Sequence, residues 1–360
     1  MLNRLLQGNN LDAEPTSIGE GVCLNPVSIT TVDSTPDIDS RVLNDLRTYG
    51  RNSFSSCLLY DGFKYYFPDE GNGFIAYLDY SSMFIAMGEP VCPRQNYGLF
   101  TENFLDYCRR HKKLCAFVCV GEEFVSATAH LSWTKIALGE DMVFNISEYA
   151  PTGDKAKKVR SARNQISKRG AQVKEYKRSL CIDRDLEFEL ERMTERWLHS
   201  HSMFQMWLLR FDLFSIAELK RYFYVEFEGK AVALLTCIPI YARNGYLFED
   251  LIRDPIAPNG ATELLILEAL RNFRNEGLEM ATLGLSPKIE IRREWGFSWW
   301  DVSLIRLGVK LVRKLSGFET LYHYRKKFNT RHMEKVFLLK HPEGLGVRDI
   351  IDILKSFNLF

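Results

Sequence analysis

The stretch FEDLIRDPIAPNGATELLILEALRNFRNEGLEMATLGLSP, residues 248–287, constrains the fold more than any other feature of the chain. An apolar run ends in an acid and an arginine three residues apart, Asp250 and Arg253. A Pro258-Asn259-Gly260 turn follows, and then Leu264, Leu267, Leu270 and Phe273 recur on a helical period. The run MATLGLSP closes the unit as a second strand. Strand, turn, helix and strand in this order predict a sheet covered by a helix. Packing alone does not ask for polar groups at the entrances of those elements.

The same grammar is legible earlier. FKYYF (63–67), GFIAYLDY (73–80) and SMFIAMGEPV (82–91) read as short strands separated by turn residues. A helix follows at about 98–111, then the buried strand LCAFVCV, a helix near 122–131, a basic helix over 154–169 that stops at Gly170, and the strand AQVKEY. In the latter half, a helix over 183–200 and a linking region precede strands at 222–229, 230–241 and 245–252, divided by Glu228-Gly229 and Arg243-Asn244-Gly245. Each half reads as antiparallel strands, a helix and a further strand, which is a mixed α/β layout. The predicted organisation is a flexible leader (1–38), a first domain (39–180), a second domain (181–345) and a C-terminal helix (346–360).

A chain of 360 residues, 46% hydrophobic and 26% charged, is ample for two cores. It has no apolar run of about 18 residues and no signal-like N-terminus. The eight cysteines are scattered; only Cys115 and Cys119 are close, and a regular strand sends both to one face as buried thiols. This reads as a reduced, cytoplasmic chain. No histidine spacing fits a metal: His199 and His201 flank Ser200, and His323 lies among basic and aromatic residues.

The net charge of +1 hides strong clustering. Residues 155–178 hold ten Lys or Arg, including Lys157, Lys158, Arg160, Arg163, Lys168 and Arg169, against the single acid Glu175. A second basic stretch contains Arg306, Lys310, Arg313, Lys314, Arg325, Lys326, Lys327, Arg331 and Lys335. Such clusters predict a polyanionic partner, whether RNA, a phosphorylated cofactor or an anionic membrane surface, unless they are merely solvated helix faces.

Several blocks, taken in order, resemble the C-terminal catalytic domain of the phosphatidylglycerol lysyltransferase (multiple peptide resistance factor) family over roughly residues 38–340. They are YGRNSFSSCLLYDGFKYYFPDEGNGFIAY, FIAMGEPVCP, KKVRSARNQISKRGAQVKEY, the 248–287 stretch and GFETLYHYRKKFN. This chain departs from the family pattern at Gly88-Glu89-Pro90, at Gly260-Ala261-Thr262-Glu263 and at Thr330-Arg331-His332. The resemblance implies tandem GNAT-like acyltransferase folds, with the chemistry mainly in the second. It implies transfer of an aminoacyl group from aminoacyl-tRNA to a lipid hydroxyl such as that of phosphatidylglycerol. Peripheral attachment at the inner membrane face goes with that activity, and no metal or cofactor does.

Transfer of an ester-linked aminoacyl group to an alcohol needs a proton path for the hydroxyl and donors for a developing oxyanion. Asp250 is placed to accept that proton or to hold an α-ammonium, and Arg253 to hold a phosphate or carboxyl oxygen. A plain Asp–Arg ion pair pinning the loop is the structural alternative. Asn259, Gly260 and Thr262 open a helix whose free amides suit an anion. Gly284 and Ser286 end a strand where a ligand can approach closely. Arg325 and Lys327, which match the family's two lysines of Lys-x-Lys-Phe, alternate with aromatics as nucleic-acid contacts do. The missing Gly-rich loop argues against acyl-CoA as donor. An acyl-CoA or peptidoglycan-precursor N-acyltransferase, and a non-catalytic binding module, remain the alternatives. No nucleophile motif is present, so direct transfer is expected, and the sequence implies no particular oligomeric state.

Overall fold

A computed structural model describes residues 40–200, 213–292 and 318–356. The leader, His201, most of the linking region and Arg306, Lys310, Arg313 and Lys314 lie outside the described residues. The described chain forms one eleven-stranded mixed sheet.

The first half supplies β1 (Lys64–Tyr66), β2 (Ile75–Asp79), β3 (Met83–Met87), β4 (Leu114–Gly121) and β5 (Thr134–Asn145). The second supplies β6 (Gln172–Tyr176), β7 (Arg221–Phe227), β8 (Lys230–Ile240), β9 (Gly245–Arg253), β10 (Met280–Glu290) and β11 (His332–His341). In each half an antiparallel meander leads, through a crossing helix, to a strand parallel to its last member. Helix α2 (Tyr97–Arg110) links the parallel pair β3–β4, as helix α6 (Ala261–Asn275) links β9–β10. This is the mixed α/β layout that the sequence implied, but residues 157–176, expected in the first domain, lie with the second half, where helix 157–168 packs on α6 and β6 pairs with β7.

The order across the sheet is β1-β2-β3-β4-β11-β5-β10-β9-β8-β7-β6. The strand beyond β4 is therefore β11, from the end of the chain, and the strand beyond β10 is β5, from the first half. These two also pair with each other, antiparallel, at the centre. Each half thus completes its sheet with a strand of the other. Neither β5 nor β11 was anticipated from the sequence.

One face of the sheet, called the front here, buries a core shared by both halves: Val42 and Leu46 of α1 (Ser40–Tyr49), Met83, Ile85, Leu338, Ile238, Ile240 and Leu247. A second front core packs Leu190 and Met193 of α5 (Arg184–Ser200) on Tyr222, Leu234 and Ile252. The rear face carries α2 and α3 (Glu122–Ala127) over the first half. Over the second half it carries α4 (Lys157–Lys168), α6 and α7 (Phe318–Lys326). A last helix, α8 (Val347–Ser356), sets Ile353 in the front core.

Cys115 and Cys119 do not share a face. The β4–β11 register slips at Cys119, whose φ is 62°, so Cys119 joins the front core while Cys115 stays at the rear. A bulge adds one residue to a strand and breaks the period of two on which the sequence expectation rested.

Candidate active site

The site starts from a parting of strands. Strands β9 and β10 pair only at Gly245–Leu247 with Met280–Thr282. Beyond that, β9 follows β8 and β10 follows β5, so a split opens between them. The register set by Met280 and Gly245 would bring Leu285 beside Asp250, and Leu285 lies opposite Asp141 of β5. A left-handed Gly284 (φ 72°) makes the turn in β10 possible, with its N–H donating to Thr282 Oγ1 at 3.0 Å. Arg325 of α7 reaches in and donates to the carbonyls of Gly284, at 3.0 Å, and of Leu285. It supplies donors where the ladder has lapsed. Burial pushes the guanidinium down to about 10, against the pull of Asp141. Arg325 is therefore committed to the backbone of the split.

The front side of the split is acidic. Leu235 pairs with Leu251 and Cys237 with Phe248, leaving Thr236 opposite both Glu249 and Asp250. This bulge turns two consecutive acids to one face. The N–H of Asp250, freed from the ladder, donates to Thr236 Oγ1 (3.1 Å), and that hydroxyl donates to Asp250 Oδ2 (2.9 Å). Glu249 accepts from Tyr60 Oη (2.5 Å) and pairs with Lys220 at 3.3 Å, the two side chains being 8% and 1% exposed. Burial, reinforced by the Glu249 charge and opposed by Lys220 and Thr236, raises Asp250 to about 7. Nearby, Asp141 accepts from Ser53 Oγ at 2.5 Å, and burial raises it to about 6.

The rear side is basic. Arg253 lies opposite Ala233 of the rear core and so points away from Asp250. Residues three apart in a strand face opposite ways; the two are not an ion pair. Arg253 instead donates to Ala257 O (2.7 Å) and Asn259 Oδ1 (3.2 Å), holding the loop that starts α6, and its Nε is buried without a partner among the described residues. Lys327 pairs with Glu263 at 2.6 Å and lies 3.5 Å from the centre of the Tyr324 ring. Burial lowers Lys327, and Arg253 adds to that against Glu263. Burial opposes the charge of Glu263, yet Lys327 and Thr262, whose hydroxyl donates at 2.9 Å, hold its carboxyl below the usual value. Ser286 is fully buried and its Oγ has no partner among the described residues.

Gly260 matters for approach. At φ 97° it begins α6 in the left-handed region, and a Cβ there would lie 2.3 Å from Ala162 O of α4. Gly260→Ala is expected to destabilise the protein by about 2 kcal/mol or more, from backbone strain and a clash with backbone that cannot move aside. Chemical denaturation of the two proteins measures it.

Helix α4 buries Val159 and Ile166 against α6 and leaves Lys157, Lys158, Lys168 and Arg169 in solvent. Arg160 donates to Pro151 O and Gly153 O, both at 2.7 Å, so it shapes its own loop. Arg163 is half-buried beside α6, and its Nε has no partner among the described residues. Sequence reasoning singled out the rear group but missed Tyr60, Lys220, Thr236, Glu249, Asp141 and Ser53. The adjacent acids in FED were the one available signal. Among the described residues, no group of three His, Cys, Asp or Glu is placed to hold a metal, and no helix is long and apolar enough to cross a membrane.

The fold and site define a twinned α/β sheet split beside a helix start, with an excess of carboxylates on one side and of cations on the other. Residues 43–340 match the profile of the phosphatidylglycerol lysyltransferase C-terminal family, and the chain belongs to that family. It is 22% identical over 84% of its length to a phosphatidylglycerol lysyltransferase of Bacillus subtilis. It is 23% identical over 78% to the lysylphosphatidylglycerol biosynthesis bifunctional protein LysX of Nocardia farcinica. Those matches span 35% and 25% of the relatives' own lengths. Among solved structures, L-PGS from Bacillus licheniformis superposes with a TM-score of 0.74 at 17% identity, covering 90% of this chain and 98% of that one. The C-terminal domain of a putative lysylphosphatidylglycerol synthetase from Agrobacterium fabrum gives 0.71 at 18%, covering 89% and 95%.

Proposed function

We propose that the chain transfers an aminoacyl group from an aminoacyl-tRNA to a hydroxyl of phosphatidylglycerol. The observation that carries this reading is the polarity of the split: an excess of carboxylates in front, where Lys220 pairs with Glu249, and an excess of cations behind, where Arg253 and Lys327 stand with the single carboxylate of Glu263 at the start of α6. An aminoacyl ester brings an ammonium, which suits Asp250. Phosphatidylglycerol brings a phosphate, which suits two cations and the free amides of a helix start. Family membership supports the same pairing.

In this reading the acceptor hydroxyl attacks the ester carbonyl, and a new C–O bond forms as the bond to the tRNA ribose breaks. The hydroxyl proton ends on the departing ribose oxygen. Asp250 holds the α-ammonium, while Arg253 and Lys327 hold the phosphate beside the carbonyl. Orientation of two bound reactants supplies most of the rate enhancement. The exposed cations of α4 flank the start of α6 and meet the tRNA backbone or the anionic membrane, and each neutralised phosphate adds salt dependence. The protein then works peripherally at a membrane surface.

The test supplies purified protein with phosphatidylglycerol vesicles and tRNA charged with labelled amino acids. Aminoacyl lipid is expected by mass spectrometry. Arg253→Ala should lower kcat/KM for the lipid by on the order of a hundredfold, through loss of a desolvated charge-assisted contact. Label moving only from acyl-CoA would remove the tRNA donor. A folded Arg253→Ala variant with parental kinetics would remove the phosphate seat.

A further inference from the structure

The front carboxylates carry their own counter-ion, and this limits how much positive charge they have left to bind. The bulge in β9 sets Glu249 and Asp250 on one face, and Lys220, just ahead of β7, pairs with Glu249 from within the protein at 3.3 Å. The other groups against the pair among the described residues are uncharged: Thr236 of β8, and Tyr60 and Cys57 of the 3-10 turn Ser55–Leu59. Burial, then Glu249, keeps both the phenol and the thiol protonated. Among the described residues, Lys220 is the cation whose charge acts on Asp250. With Asp250 ionised, two carboxylates less one ammonium leave a single negative charge.

A cavity of about 320 Å³ opens on the far side of Lys220. The carboxylates that line it are engaged already: Arg221 pairs with Glu175 at 2.7 Å and with Glu276 at 2.5 Å, and Lys177 with Glu175 at 3.9 Å, while Glu276 and Glu218 are exposed. A second buried ammonium entering here would meet cations whose partners are already taken, and an unpaired buried charge is strongly disfavoured.

We propose that Lys220 is a resident counter-ion filling the second ammonium seat of the Glu249–Asp250 pair, so that the aminoacyl group transferred carries one ammonium, on its α-carbon, and an uncharged side chain. This rests on the reading of Asp250 as the holder of that ammonium. It narrows the substrate beyond the names of the relatives, several of which are lysyltransferases. Lys220 is a specificity-determining residue that acts through Glu249.

The test compares lysyl-tRNA with alanyl-tRNA and with methionyl-tRNA, whose unbranched side chain controls for length, in the phosphatidylglycerol vesicle assay. The parent protein is expected to use the two uncharged donors at least about tenfold better than lysyl-tRNA, in kcat/KM. Lys220→Met frees Glu249 and should shift the ratio toward lysine by about tenfold or more. The double variant Lys220→Met/Glu249→Gln should restore the parental preference, which loss of packing alone would not do. A parent that prefers lysyl-tRNA overturns the proposal even if the single variant fails to fold. So does an unchanged ratio in a folded Lys220→Met protein. No transfer from any of the three donors defeats the transferase reading itself, and the proposal with it.

Discussion

Asp250→Asn is expected to cut kcat/KM for aminoacyl-tRNA by about a hundredfold or more while leaving the fold intact. Asparagine keeps the shape and can still accept from the Thr236 hydroxyl, so the bulge survives; what goes is the charge facing the ammonium. Truncating one partner of a buried charge pair costs about 2–5 kcal/mol. In the parent, kcat/KM should rise with pH through about 7, the value to which burial and the Glu249 charge bring Asp250. The variant should lack that limb. Stability gives an independent reading of the same group. The folded state keeps the Asp250 proton up to about 7, whereas an unfolded aspartate loses it near about 4. Folding therefore binds a proton between these values, and stability contributed by the neutral carboxyl is lost as pH rises across that window. Asp250→Asn should remove this slope and be the more stable protein at pH 8. A variant that transfers normally, or a parent whose stability is level from pH 4 to 7, would show that Asp250 is neither charged at work nor neutral at rest.

Residues 39–180 expressed alone are expected to yield no folded domain, and the chain ended at residue 330 should likewise fail to fold cooperatively. The reason is the exchange of β5 and β11. Strand β11 pairs along both of its edges, with β4 and β5, and buries Val336, Phe337, Leu338 and Leu339. At roughly 1.5–3 kcal/mol for each such side chain, that burial alone rivals the total stability of an ordinary domain, about 5–15 kcal/mol. Its removal also leaves β4 and β5 as open edges prone to association. Far-UV circular dichroism with thermal melting decides the matter. A monomeric 39–180 fragment with a sharp transition would mean that β4 finds another partner.

The amino-acid sequence alone determined most of the elements and pointed to the residues that gather in the rear half of the candidate site. The period of Leu264, Leu270 and Phe273 defined α6, and the Pro258-Asn259-Gly260 turn defined its start, because helix spacing and turn chemistry are local properties. Arg253, Asn259, Thr262 and Lys327 were legible for the same reason, since they cluster around that one turn and a nearby basic motif. Asp250 was legible too, though not its direction. The β9 bulge, which sets it in front with Glu249, depends on the register against β8, and register is a property of two strands. The sequence did not reveal β5, interrupted by Gly139-Glu140-Asp141, or β11, which opens on His332, Glu334 and Lys335 around one Met. Each becomes a strand only by lying between partners far away in the chain. Tertiary structure also decided the fate of Lys220. As a sequence feature it is one lysine among many; folded, it is a buried charge whose only tolerable position is against the acids that the bulge turns toward it.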